Sequence, residues 1–323
     1  MSNIQINPYA FGGGAVGAWK ELDRTTLLSG NSAIDVSGLP NKEYYMFLCD
    51  FRSTVNAEPS LRINADSGNY YARRASTDGG TDSTDNTQDQ LYNFNQSLNG
   101  HEGFTMGYIS NLSAKEKLLQ WSWVTNRAGT SSTSLPNRQN AVAKWANTSS
   151  SLSSFNTFDS SGDNFSTGSE VVILGYDSTD THTTADNFWK ELANVDLSGG
   201  AATNIDSGTI TAKKYLWFQF YGDSITSANS IRVTFNGDVG GNYADRSSQN
   251  GGAEDTNTST NNMQMTISTH TTPSFINCFA INNSANEKLV INHSIDQNTA
   301  GSGNVPTRVE GVHKWSCEPC QIT

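Results

Sequence analysis

The sequence predicts an all-β protein built as a tandem duplication of one β-sandwich module, jelly-roll-like in style. Three observations carry that prediction. Short motifs recur along the 323 residues at a nearly constant spacing. Apolar side chains alternate within runs of strand length. Polar stretches rich in Gly, Ser, Thr, Asn and Asp separate those runs, as turns do in sandwiches and barrels.

The recurrence begins with Trp19-Lys20-Glu21-Leu22, which returns as Trp189-Lys190-Glu191-Leu192. Ile34-Asp35 returns as Ile205-Asp206, and Tyr44-Tyr45-Met46-Phe47 is answered by Tyr215-Leu216-Trp217-Phe218. Leu61-Arg62-Ile63 matches Ile231-Arg232-Val233, and Tyr71-Ala72 with Gly79-Gly80 matches Tyr243-Ala244 with Gly251-Gly252. Glu116-Lys117-Leu118 matches Glu287-Lys288-Leu289, and Pro136, Arg138 and Lys144-Trp145 match Pro306, Arg308 and Lys314-Trp315. Every spacing lies between 170 and 172, a drift that loop insertions produce.

Each copy reads as strands. Residues 44–50 place Tyr45, Phe47 and Cys49 on one face and Tyr44, Met46 and Leu48 on the other. Both faces are apolar, so this strand is expected to be central and covered on both sides. Phe47 and its counterpart Phe218 are expected in the core. Residues 118–124 and 289–295 read as a second matched pair of strands. Short helical pieces are expected only near 113–117 and 185–192. The organisation expected is an N-terminal arm over 1–18, a first module over 19–178 and a second over 179–323. The second lacks the closing strand that the first has at 162–175. The glycine-rich arm, residues 2–16, is the segment expected to supply the missing strand to a neighbouring subunit.

The net charge of −11 argues against binding a nucleic-acid backbone, which needs a basic face. The start of the chain has neither the positive end nor the apolar centre of a signal peptide. No apolar run approaches the ~18 residues of a spanning helix, so no membrane association is expected. The four cysteines read as ordinary thiols, with Cys317-x-x-Cys320 leaving a terminal metal or redox pair open. The five histidines lack metal-binding spacing, and no nucleophile elbow or phosphate loop is present. No catalytic residue is assigned, so no enzyme is expected.

The Trp-x-x-Leu opening, the Tyr- and Phe-rich strand, the Gly68-Asn69-Tyr70-Tyr71 loop and the closing Asn164-Phe165-Ser166-Thr167-Gly168-Ser169-Glu170-Val171-Val172-Ile173-Leu174-Gly175 stretch resemble structural proteins of tailed, often marine, bacteriophages. That resemblance implies a virion component made in the host cytoplasm: a capsid decoration, head fibre or tail-associated protein. Other virion proteins and further copies of itself are the implied partners.

Two ligand sites are candidates. Asp78, Asp82 and Asp85 lie in a Gly/Ser/Thr loop, and Glu254 and Asp255 in its second copy; such oxygen donors suit calcium, although the loop lacks the closing glutamate of an EF-hand. Otherwise no cofactor is expected. Tyr70, Tyr71 and Tyr243 beside Arg73 and Arg246 could stack on sugar rings, so a carbohydrate- or receptor-binding module for a host surface glycan is the alternative function.

Overall fold

The computed structural model describes residues 19–92, 94–177, 180, 185–197, 200, 202–222, 230–266, 273–297, 302 and 304–323. Among these the chain is all β, with no helix. The pieces expected to be helical at 113–117 and 185–192 are turns and extended chain. Helices of one or two turns gain too few hydrogen bonds to offset their nucleation cost without packing. The N-terminal arm lies outside the described residues, and with it the expectation that it donates a strand.

Contacts divide the chain into two units. The first comprises residues 1–77, 81–123 and 139–189, and the second comprises 78–80, 124–138 and 190–323. Two short segments from the first half of the sequence therefore belong to the second unit, which a linear reading of the repeat did not anticipate.

Unit 1 contains β1 (Lys20–Thr26), β2 (Ala33–Ser37), β3 (Tyr44–Arg52), β4 (Pro59–Ile63), β5 (Tyr71–Thr77) and β6 (Ser83–Gln88). It continues with β7 (Glu102–Ser110), β8 (Lys117–Thr125), β9 (Asn137–Trp145), β10 (Ser154–Asp159) and β11 (Glu170–Tyr176), the last two residues of β8 and the first two of β9 belonging to unit 2. Eight of these form a sheet in the order β1-β11-β3-β7-β8-β9-β5-β6, and three form a second, β2-β10-β4. The sheets bury a common core. Tyr45, Phe47, Trp121, Trp145 and Ile173 come from the larger sheet and Ile34, Val36, Leu61 and Phe155 from the smaller. Phe47 sits 5.3 Å from Phe94 and 5.1 Å from Phe155, ring centre to ring centre. Strand β3 is buried on both faces, as its continuous apolar sequence predicts.

Unit 2 contains β12 (Tyr215–Gly222), β13 (Arg232–Val233), β14 (Tyr243–Gln249), β15 (Glu254–Thr260), β16 (Met263–Gln264), β17 (Ser274–Ile281), β18 (Lys288–Asp296) and β19 (Thr307–Trp315). Six of them form the sheet β12-β17-β18-β19-β14-β15, with β13 and β16 paired separately. That order repeats β3-β7-β8-β9-β5-β6. The registers repeat too: Phe47 faces Gly107 and Phe218 faces Cys278, while Tyr71 faces Trp145 and Tyr243 faces Trp315. A bulge follows both tyrosines.

Among the described residues strand β12 ends its sheet, whereas β3 is flanked by β11, and Phe218 is only partly buried. The chain after β19 nevertheless continues the pattern. Asn282 clamps Ile322 by a bond from its Nδ2 to the Ile322 oxygen (3.1 Å) and one from the Ile322 nitrogen to its Oδ1 (2.7 Å). Asn111 accepts from the Leu152 nitrogen at 3.0 Å in the same way in unit 1. Leu152 and Ile322 are both core residues.

Candidate functional site

The densest group of functional side chains is an arginine–carboxylate cluster in unit 2. The turn 78–80 positions it, with Gly79 at φ 68°. A Cβ there would lie 2.3 Å from Cγ of Glu254, so only glycine allows this approach. Oδ1 of Asp78 accepts from the Arg138 backbone nitrogen (2.8 Å), and its Oδ2 from Nδ2 of Asn137 (2.7 Å). Arg138, almost wholly buried, donates from Nε to Oε1 of Glu254 at 2.7 Å. Arg246 donates from Nη1 to Oε2 of the same carboxylate at 2.5 Å and from Nε to the Pro136 carbonyl at 2.8 Å. One carboxylate thus bridges two arginines, Arg246 held also by the Pro136 carbonyl and Arg138 through its main chain by Asp78.

A second buried group lies on the same sheet. Glu287 accepts from the Ser131 nitrogen (2.7 Å), Nδ2 of Asn126 (2.9 Å) and Oγ of Ser316 (2.5 Å). Lys314 lies 3.5 Å from it and donates to the Gly129 carbonyl at 2.7 Å. Burial pushes the Lys314 ammonium down from its usual range, and the Glu287 charge opposes that shift. Together the two groups tie the segment 124–138 to the sheet β18-β19-β14. Chemically this arrangement holds protein to protein; every carboxylate in it is turned toward a donor of this chain.

The remaining calcium candidates are similarly engaged. Asp85 accepts from Arg73 at 2.6 Å and Asp82 from Arg74 at 3.2 Å. Asp255 lies on β15, opposite Ser247. Asp78 and Glu254 come together, but around arginines. Among the described residues no three His, Cys, Asp or Glu side chains group as metal ligands. Of the aromatic candidates only Tyr70 is exposed; Tyr71 and Tyr243 are core residues. Their hydroxyls face inward: each accepts from a backbone nitrogen, of Ile63 or Phe235, at 2.9 Å, and donates to a carbonyl, of Asp66 or Asp238, at 3.1 Å. Arg73 is buried and Arg246 largely so.

Cys49 and Cys278 are buried free thiols, pushed well up by burial, while Cys317 and Cys320 are joined in a disulfide. His313 is fully buried, neither ring nitrogen has a hydrogen-bond partner, and burial lowers it to about 3. Asp245 is pushed the opposite way, to about 6, chiefly by burial and against hydrogen bonds from Asn257 and the Gln264 nitrogen. Sequence reasoning missed Glu287, Lys314 and Arg138 as a set. The only available signal was that Glu287, Lys314 and Arg138 belong to matched repeat motifs.

Comparison with protein-family models gives no match, and comparison with curated proteins gives none either.

Proposed function

We propose that this chain is a non-enzymatic structural protein of a virus particle, placed on the exterior as a capsid decoration, head fibre or tail-associated component, that assembles through protein–protein contacts. The resemblance of its motifs to phage structural proteins supports the setting. The observation that carries the assembling role is the use of its charged side chains. Arg138, Arg246, Glu254, Glu287 and Lys314 hold a chain segment against a sheet. The repeated strand order and registers support a tandem duplication, a usual route to a protein built for repeated contacts. The low content of basic residues fits partners that are proteins and not nucleic acid.

Antibodies raised against the purified chain test the setting. Gold-labelled, they should decorate the outside of intact particles, and the chain should be found by mass spectrometry in gradient-purified virions. Purified particles lacking the chain would overturn the proposal. Of the aromatics that suggested sugar stacking, Tyr70 alone is exposed, and binding on a glycan array would revive that alternative.

A further inference from the structure

The two repeats bury the same positions very differently. In unit 2 the sheet face carrying Leu289, Val312, Arg246, Glu287 and Lys314 receives the segment 124–138 and the turn 78–80. Leu289 is 1% exposed and Val312 3%. The matching face in unit 1 carries Leu118, Val142, Arg74, Glu116 and Lys144. There Leu118 is 57% exposed and Val142 51%, and the Lys144–Glu116 pair, 3.0 Å apart, stands in solvent. An isolated exposed leucine is ordinary; two apolar side chains beside two ion pairs, repeating a face that is covered elsewhere in the same chain, are among the described residues a seat without its occupant.

The element that would fill the seat also has a twin. In unit 2, Arg138 is held by Asp78, whose nitrogen donates to the Arg138 carbonyl at 3.0 Å while Oδ1 accepts from the Arg138 nitrogen at 2.8 Å. Arg308 is held by Asn250 through the same two bonds, at 3.0 and 2.9 Å. Gly79 and Gly251 have the same turn conformation, at φ 68° and 70°. The difference lies beyond the turn: Gly79 is pressed against Glu254, while among the described residues Gly251 meets only its own Arg308. Arg138 is 4% exposed and Arg308 58%. On the open face Asp82 occupies the place of Glu254 and pairs with Arg74 as Glu254 pairs with Arg246. Arg308, paired within its own strand with Glu310 at 2.7 Å, therefore has a second carboxylate, Asp82, to meet in the seat.

We propose that copies of this chain join head to tail, the Asn250–Gly252 turn and Arg308 of one copy seating on the Asp82, Arg74, Leu118 and Val142 face of the next. The contact repeats between chains the one that Arg138 and segment 124–138 make inside unit 2. It rests on the assembling role proposed above and names its surface and its partner. Because plug and seat are different surfaces, the interface is heterologous, and association gives a ring if the rotation closes and a filament if it does not.

Light scattering across a concentration series tests this with the full chain. Wild type should grow in mass with concentration. Leu118→Asp/Val142→Asp blocks the seat and Arg308→Glu blocks the plug; each variant alone should stay at the mass of one chain with an unchanged Tm, since all three positions are exposed. An equimolar mixture of the two should form a dimer and stop there, because only one intact plug and one intact seat remain. Wild-type oligomers that survive both blocks overturn this surface and leave an assembling protein in place. A wild type that remains one chain at every concentration overturns the proposal, and particle labelling then decides the virion reading independently.

Discussion

Trp145 and Trp315 make the same bond: each indole Nε1 donates to an aspartate Oδ2, Asp66 at 2.9 Å in one case and Asp238 at 2.7 Å in the other. Burial opposes ionisation of Asp238, but hydrogen bonds from Trp315, Asn242 and the Gly240 nitrogen outweigh it and hold the carboxyl below its usual range. Each bond fixes the loop preceding the bulged strand to the strand that faces it.

Replacing either tryptophan by phenylalanine keeps most of the buried ring area and removes one bond to a charged group. The expected cost is about 1.5–3 kcal/mol, at the lower end because both aspartates are partly solvated. Denaturant unfolding of Trp145→Phe and Trp315→Phe measures it. A neutral effect at one site and a large one at the other would show that the two repeats use the bond differently.

Phe47 and Phe218 occupy matched register positions with unequal burial. Phe47→Ala should cost about 3–5 kcal/mol, as for other fully enclosed rings. Phe218→Ala should cost clearly less, since its ring is partly solvated on the terminal strand β12. Thermal melts of the two variants compare them directly; equal losses would contradict the difference in enclosure.

His313 sets an acid limit. Its imidazole has an ordinary value of 6.5 when unfolded and about 3 when folded. Between those values the unfolded chain holds a proton that the folded chain does not, so this contribution is intact above pH 6.5 and declines as the pH falls toward 3. The decline is on the order of 1.4 kcal/mol per pH unit. Against wild type, His313→Leu should therefore gain relative stability below pH 6.5 and show no further change above it. Parallel stability curves across that window would count against this account.

Ion pairs of like chemistry should differ by setting. Glu254→Gln leaves Arg138 and Arg246 buried without their shared charge and should cost about 3–5 kcal/mol. Glu116→Gln breaks an exposed pair with Lys144 and should cost below about 1 kcal/mol. Urea titrations of both variants check the contrast, and the loss at Glu254 should persist at high salt.

Strands were legible because burial imposes a period of two on side chains, visible at 44–50, 118–124 and 289–295. The matched motifs likewise foretold the common strand order. Roles of single polar residues were not legible. Tyr71 beside Arg73 reads as a stacking platform, yet its hydroxyl finds the Asp66 carbonyl inside the core, and only the folded chain distinguishes these fates. Asp78 in a glycine turn has the composition of a calcium ligand and also that of a backbone cap, which it is for Arg138. Glu254 and Arg138 are far apart in sequence, and no local pattern announces such a pairing.

Because residues 78–80 and 124–138 belong to unit 2, the boundary between repeats is not a boundary between folding bodies. A recombination event or protease cut at residue 189 would separate two repeats by sequence and still split unit 2. The C-terminal fragment would lose Arg138 from Glu254, Asn126 and Ser131 from Glu287, and the Gly129 carbonyl from Lys314.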